Sequence, residues 1–165
     1  MSIKVGSKKK EVKSNFKLIP GAVMGYALLL TVSCTPGSCF EETNAYVKAS
    51  FHLYLNGKMT APDSLTLYGI GNDSVRYKKA LRVQPAFIPL NASEEKCRFV
   101  IRINGITDTI SFSYSTFIHL ISKECGYTYF HNLDSVNSTL HNIDSIYINQ
   151  RIVTNLNGTN ISIYY

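Results

Sequence analysis

A chain of 165 residues points to one domain, and with 45% apolar and 12% aromatic residues it has the material for a packed core rather than a disordered coil. The formal charge of +6 invites a nucleic-acid or membrane-surface reading, but its distribution argues against the first. Residues 1–33 hold six lysines and one acid, a net of +5, whereas residues 34–165 hold eleven Lys or Arg against ten Asp or Glu, a net of +1. The larger part is near neutral and lacks the electrostatic footprint of a nucleic-acid binder.

Residues 1–33 read as an export signal. Lysines from Lys4 to Lys17 form a basic start, Leu18–Thr31 an apolar stretch, and Thr31-Val32-Ser33 lead into Cys34. The apolar stretch, broken by Pro20 and Gly21, is short of the roughly 18–20 residues of a membrane span. A permanent signal anchor is the weaker alternative. The ending resembles the lipobox of bacterial lipoproteins, in which a small residue precedes the cysteine that is diacylated. Ser33 and Val32 fit that pattern, and Thr31 departs from the usual Leu, Val or Ile. Ordinary cleavage nearby, giving an unanchored product, is the rival. The expectation is lipidation of Cys34 and anchoring to a membrane, with residues 34–44 as a tether and 45–165 as the folded domain. Export permits disulfides. With Cys34 acylated, Cys39, Cys97 and Cys125 remain, which allows one pair and one spare thiol.

Beyond the tether, period-two alternation dominates. Val47, Ala49, Phe51, Leu53 and Leu55 share one face of a strand that ends at Asn56-Gly57. Leu65, Leu67 and Gly69 suggest a second strand. Pro85 and Pro89 confine residues 75–90 to edge or short pieces. Phe99, Ile101 and Ile103, the turn Asn104-Gly105, then Ile110, Phe112 and Tyr114 form the clearest hairpin. Further strands are predicted at 117–122, 126–131, 145–153 and 160–165. No segment carries helical periodicity with caps. The expected fold is all-β: an antiparallel β-sandwich, immunoglobulin-like or Greek-key, of about seven to eight strands, with a closed barrel as alternative.

Candidate chemistry is sparse. His52 and His119 fall in strands, His131 and His141 in a loop-rich stretch, and no pair has zinc-site spacing, so no metal or other cofactor is expected. Cys125 beside a histidine would make a nucleophile, but an exported chain with a second cysteine more often oxidises it. No Gly-x-Ser-x-Gly elbow occurs, and Gly69-Ile70-Gly71-Asn72 lacks the rest of a phosphate loop. The five aspartates share a pattern: each precedes Ser or Thr and then an apolar residue, placing hydroxyls at Ser64, Ser74, Thr109, Ser135 and Ser145. The pattern resembles the acceptor for O-glycosylation of exported proteins in Bacteroidota. The plainer reading is Asp-Ser turn chemistry ahead of a strand.

Three stretches resemble an uncharacterised family of small Bacteroidota cell-envelope lipoproteins, a domain of unknown function: Cys39–Thr43 leading into Val47–Leu55, Asp108–Tyr114 with Ile118–Tyr127, and the terminal Ile161–Tyr165. The resemblance implies a β-rich domain with a disulfide between Cys39 and Cys125, and it supplies no activity. Cys97 lies outside the family pattern and reads as a buried thiol. The functional expectation is a non-enzymatic binding or scaffold module, lipid-anchored at the outer membrane with the periplasmic face favoured. Its partners would be the membrane and another envelope protein or a glycan. The alternative is a glycan-acting hydrolase whose acids the sequence does not single out.

Overall fold

The computed structural model describes residues 39–71 and 75–165. Residues 1–38, with the expected export signal and Cys34, and the pair Asp73-Ser74 lie outside them. Ten strands follow in order: β1 (Tyr46–His52), β2 (Leu65–Gly69), β3 (Val75–Ala80), β4 (Ala86–Pro89), β5 (Lys96–Ile103), β6 (Ile106–Ser122), β7 (Gly126–Ser138), β8 (Ser145–Ile148), β9 (Ile152–Val153) and β10 (Ile161–Tyr164). They form a four-stranded sheet, β4-β1-β10-β8, and a six-stranded sheet, β3-β2-β5-β6-β7-β9, in a sandwich-like arrangement. No described residue is helical.

The architecture is the all-β sandwich expected, with ten strands rather than seven or eight: residues 75–90 supply two, β3 and β4, and the stretch predicted at 145–153 divides. Its first half, β8, pairs with β10, and its second half, β9, pairs with β7 in the other sheet. The sheets are antiparallel except where β1 runs parallel to β10, in register from Ala49–Ile161 to His52–Tyr164. The proline-bearing segment behaves as its chemistry requires. β4 ends on Pro89 and takes an edge of the four-stranded sheet, where a missing N–H breaks no inner ladder.

The core lies between the sheets and takes alternate residues from each strand. Val47, Ala49 and Phe51 of β1 and Ile161 and Ile163 of β10 meet Leu65, Leu67, Ile101, Ile103, Ile110 and Phe112 of the larger sheet. β1 departs from the half-buried pattern, since its other face, Lys48 and Ser50, is buried as well. The chain between β8 and β10 covers Lys48, and Ser50 packs against Ser162 of β10, with Oγ atoms 3.2 Å apart. The Asn160 carboxamide accepts from the Lys48 N–H at 3.0 Å and donates to the carbonyls of Gln150 and Ile152, while the Lys48 ammonium donates to the Leu156 carbonyl. The β5–β6 hairpin turns on Asn104 and Gly105, at φ 51° and 94°, the positive-φ pair that a two-residue turn of this twist demands.

β6 and β7 are the longest strands, 17 and 13 residues. β6 joins two segments that read as separate strands in the sequence, 106–114 and 117–122, and β7 carries the strand predicted at 126–131 on to Ser138. Their pairing continues from Ile110–Ser138 to Ser122–Gly126, with Asp134 left over as a bulge between the Ser113–Ser135 and Tyr114–Leu133 pairs. The turn of Lys123, Glu124 and Cys125 joins them at the far end.

Candidate functional site

Alternation along β5, β6 and β7 sends one row of side chains into the core and the other to solvent. On the solvent side, strand pairing aligns Lys96 with Ser113 and Ser135, and Arg98 with Ser111 and Asn137. These two rungs, with Ile70 and Glu94, line a groove of about 580 Å³. A neighbouring hollow of about 460 Å³ shares Ile70, Glu94, Cys97 and Arg98 with it, so the two meet around Arg98. Neither Lys96 nor Arg98 forms an ion pair with a described residue. The groove thus offers two free cations, three hydroxyls and a carboxamide, the donors and acceptors that suit a hydroxyl- and carboxylate-bearing ligand.

Cys97 stands at the inner wall, half-buried and unbonded. Burial pushes its thiol up to about 11, so it is protonated and a poor nucleophile at neutral pH. Beside it, burial and then the neighbouring thiol raise the Tyr114 phenol above its ordinary range. That hydroxyl donates to the Asn91 carbonyl at 2.8 Å and accepts from the Asn91 N–H at 3.0 Å. The pair holds the loop before β5 and leaves no free catalytic group.

Asp108 is the one buried carboxylate among the described residues, on the core face of β6. Its two oxygens accept from the N–H groups of His141, Asn142 and Ile143 at 2.8–3.0 Å and from the Thr139 hydroxyl at 2.7 Å. The His141 ring nitrogen lies 3.1 Å away. Burial pushes this carboxyl up, but the donors outweigh it and hold the group below the usual carboxylate range. Asp108 therefore fastens the β7–β8 loop. The signal for this was in the alternation, because Asp108, Ile110, Phe112 and Tyr114 share a face, and an acid there requires a full set of donors.

The histidines do not converge. His131, which closes the strand predicted at 126–131, lies inside β7 and is buried, with Thr116 Oγ1 at 2.9 Å and the Tyr114 ring edge-on at 5.3 Å. Burial lowers its pKa. His52 Nε2 lies 3.0 Å from Ser50 Oγ, and its Nδ1 3.1 Å from the Gly57 carbonyl. This nucleophile-like pair, two apart on one strand face, was not singled out from the sequence. However, Ser50 is buried under Ser162 at 3.2 Å, and no groove described here reaches it. No group of three or more possible metal ligands occurs among the described residues.

The aspartate sites divide in two. Ser64 lies in the bend before β2, and Ser145 opens β8, as turn chemistry predicts. The turn reading fails at the other two described sites. Thr109 is half-buried within β6 behind the committed Asp108 carboxylate, and Ser135 is exposed in the groove beside the bulge at Asp134. Ser74 and Cys34 lie outside the described residues.

Cys39 and Cys125 are disulfide-bonded, with Cα atoms 4.8 Å apart across 86 residues. The bond fastens the start of the described chain to the turn of the β6–β7 hairpin. The Thr128 hydroxyl adds a 2.6 Å bond to the Thr43 carbonyl, and the Asn155 carboxamide one of 2.8 Å to the Glu42 carbonyl. Residues 39–44 run along the hairpin on the way to β1.

No curated protein sequence and no solved structure matches the chain. A family model described as "Family of unknown function (DUF6452)" matches residues 64–165, which takes in every strand from β2 to β10. The chain belongs to that family of unknown function.

Proposed function

We propose that this chain is an outer-membrane lipoprotein, anchored through Cys34 and facing the periplasm, whose sandwich is a non-enzymatic module that binds an acidic envelope glycan. The groove over β5, β6 and β7 carries the reading. It is lined by a ladder of Ser111, Ser113, Ser135 and Asn137 with Lys96 and Arg98 in the same rungs, donors and acceptors of the kinds that meet sugar hydroxyls and carboxylates. The glycan-hydrolase alternative draws no support from it. Among the described residues the groove is lined by one carboxylate, Glu94, where such chemistry uses two.

Two acceptor positions extend the reading. Ser64 and Ser145, at strand entries, are the aspartate-linked hydroxyls we expect to carry glycans in the native host, whereas a glycan on Ser135 would fill the groove. Titration calorimetry with uronic-acid-bearing envelope polysaccharides tests the binding. Wild-type protein binds them, and Arg98→Ala weakens binding about tenfold or more, the scale of a lost charged hydrogen bond. Equal binding by wild type and Arg98→Ala, or none by either, would sink the groove assignment.

A further inference from the structure

The inner row of β6 runs Ile110, Phe112, Tyr114, Thr116, Ile118, Leu120. Its first three apolar members are buried in the core, and the last two are not. Beyond the His131–Thr116 pair, β6 and β7 continue as an arm on which Ile118 faces Tyr129 and Leu120 faces Tyr127. These four side chains are 65%, 51%, 47% and 73% exposed. They form a bare apolar face, with a shallow hollow of about 300 Å³ lined by Ile118, Tyr127, Thr128 and Tyr129 at its edge. The opposite face is occupied: Phe130 is buried beneath His119, stacked at 4.4 Å, and Phe117, edge-on at 6.1 Å, and Thr128 holds the tether. Six of the eighteen exposed large hydrophobic residues described lie on this arm and its tether: these four, Phe117, and Phe40, which is 92% exposed beside Cys39.

We infer that this arm is a membrane foot, its bare face seated in the interfacial layer of the bilayer that holds the lipid anchor. The inference rests on the proposed acylation of Cys34. What names the occupant is where the preceding chain arrives. Cys39 is bonded to the arm's own turn, and Cys34 is only five residues earlier, a fully extended reach of about 18 Å. A diacylated Cys34 therefore keeps the arm tip at the membrane surface, whatever the tether's conformation. Amphipathic helices that lie on a bilayer sink roughly 5–10 Å into the boundary between headgroups and acyl chains, the depth that a one-sided apolar hairpin face would share. Ile118 and Leu120 supply the apolar contact, and the rings of Tyr127 and Tyr129 suit a layer that is apolar below and wet above. The consequence for the groove is orientation. Ser111 and Ser113 lie seven to nine residues back along β6 from Leu120 and on its opposite face, so the groove is turned away from the seated face.

The chain contains no tryptophan, so one introduced indole reports alone. Full-length Tyr127→Trp protein, acylated in cells and tested for a clickable fatty-acid label, is reconstituted into vesicles of phosphatidylethanolamine and phosphatidylglycerol with acyl-brominated lipid. Leu120→Trp is a second reporter on the same face, and Tyr147→Trp on β8 is the reference. Non-reducing mobility confirms that each has folded with its disulfide. Labelled protein whose 127 and 120 reporters shift to the blue and lose about half their emission or more to bromine, with the 147 reporter unaffected, supports the foot. Labelled protein whose 127 and 120 reporters stay unquenched overturns the foot and leaves the anchor standing. A blue shift insensitive to bromine, with crosslinking to a dimer, overturns it in favour of a second copy. Protein without label overturns the anchor and the foot together.

Discussion

The β6–β7 ladder is one continuous hairpin with two different fates. In the body of the domain its inner row meets the four-stranded sheet, and Ile110, Phe112, Tyr114 and Leu133 lose essentially all contact with solvent. In the arm the same alternation continues with the same kinds of residue, but the smaller sheet has ended and the row is bare. Alternation specifies which face is apolar, and what lies opposite decides whether that face becomes core. The arm's order must come from elsewhere: the ladder itself, the Cys39–Cys125 bond and, on the present reading, a membrane.

The comparison can be broken at several points. The largest effect belongs to the disulfide. Cys125→Ser frees a loop of 86 residues, and equilibrium urea unfolding should show a loss of about 4–5 kcal/mol on the chain-entropy account, with the arm losing hydrogen-exchange protection first. A negligible loss would mean that the ladder alone orders the arm. Next comes the contrast between the two fates of one row. Phe112→Ala, in the body, should cost about 3–5 kcal/mol, and Leu120→Ala, on the arm, within about 0.5 kcal/mol in detergent-solubilised protein. Comparable costs would show that the arm's inner face is already covered.

The smallest effects are those of pH, and they too separate regions. Asp108 serves the β7–β8 loop with a carboxyl held below its ordinary range, so its contribution is present above the unfolded value near 3.9 and is lost as pH falls through the lower folded value. His131, at the root of the arm, is buried neutral with a lowered pKa. Its unfolded form takes up a proton near 6.5, so stability declines as pH falls below about 6.5 and levels off once the folded pKa is passed. Thermal melts from pH 8 to 3 should therefore fall in two stages, and His131→Leu should remove the first alone. A first stage that persists in His131→Leu would assign it to another group.

The parts of this molecule that were legible in the sequence are those decided locally. Phe99–Ile103, Asn104-Gly105 and Ile110–Tyr114 could be paired by eye, because the alternation and the turn chemistry lie side by side. Pro85 and Pro89 placed β4 at an edge for a reason that needs no partner. What escaped was decided by distant chain. Lys48 and Ser50 lie on the polar side of β1's alternation, and only distant chain, the β8–β10 connection and β10, buries them; β10 gave no sign that it would lie parallel to β1. The groove was invisible for the same reason, since Lys96, Arg98, Ser111, Ser113, Ser135 and Asn137 become neighbours only through the register of three strands. The Cys39–Cys125 pairing came from resemblance rather than from the residues, and the structure contains it.

The central claim is that this domain is held to a membrane through Cys34. Metabolic incorporation of an alkyne fatty acid, followed by purification and fluorescent ligation, tests it without reference to groove or arm. The account predicts a labelled wild-type protein in the membrane fraction and an unlabelled Cys34→Ala protein. A wild-type protein without label, or a label that persists in Cys34→Ala, would contradict it.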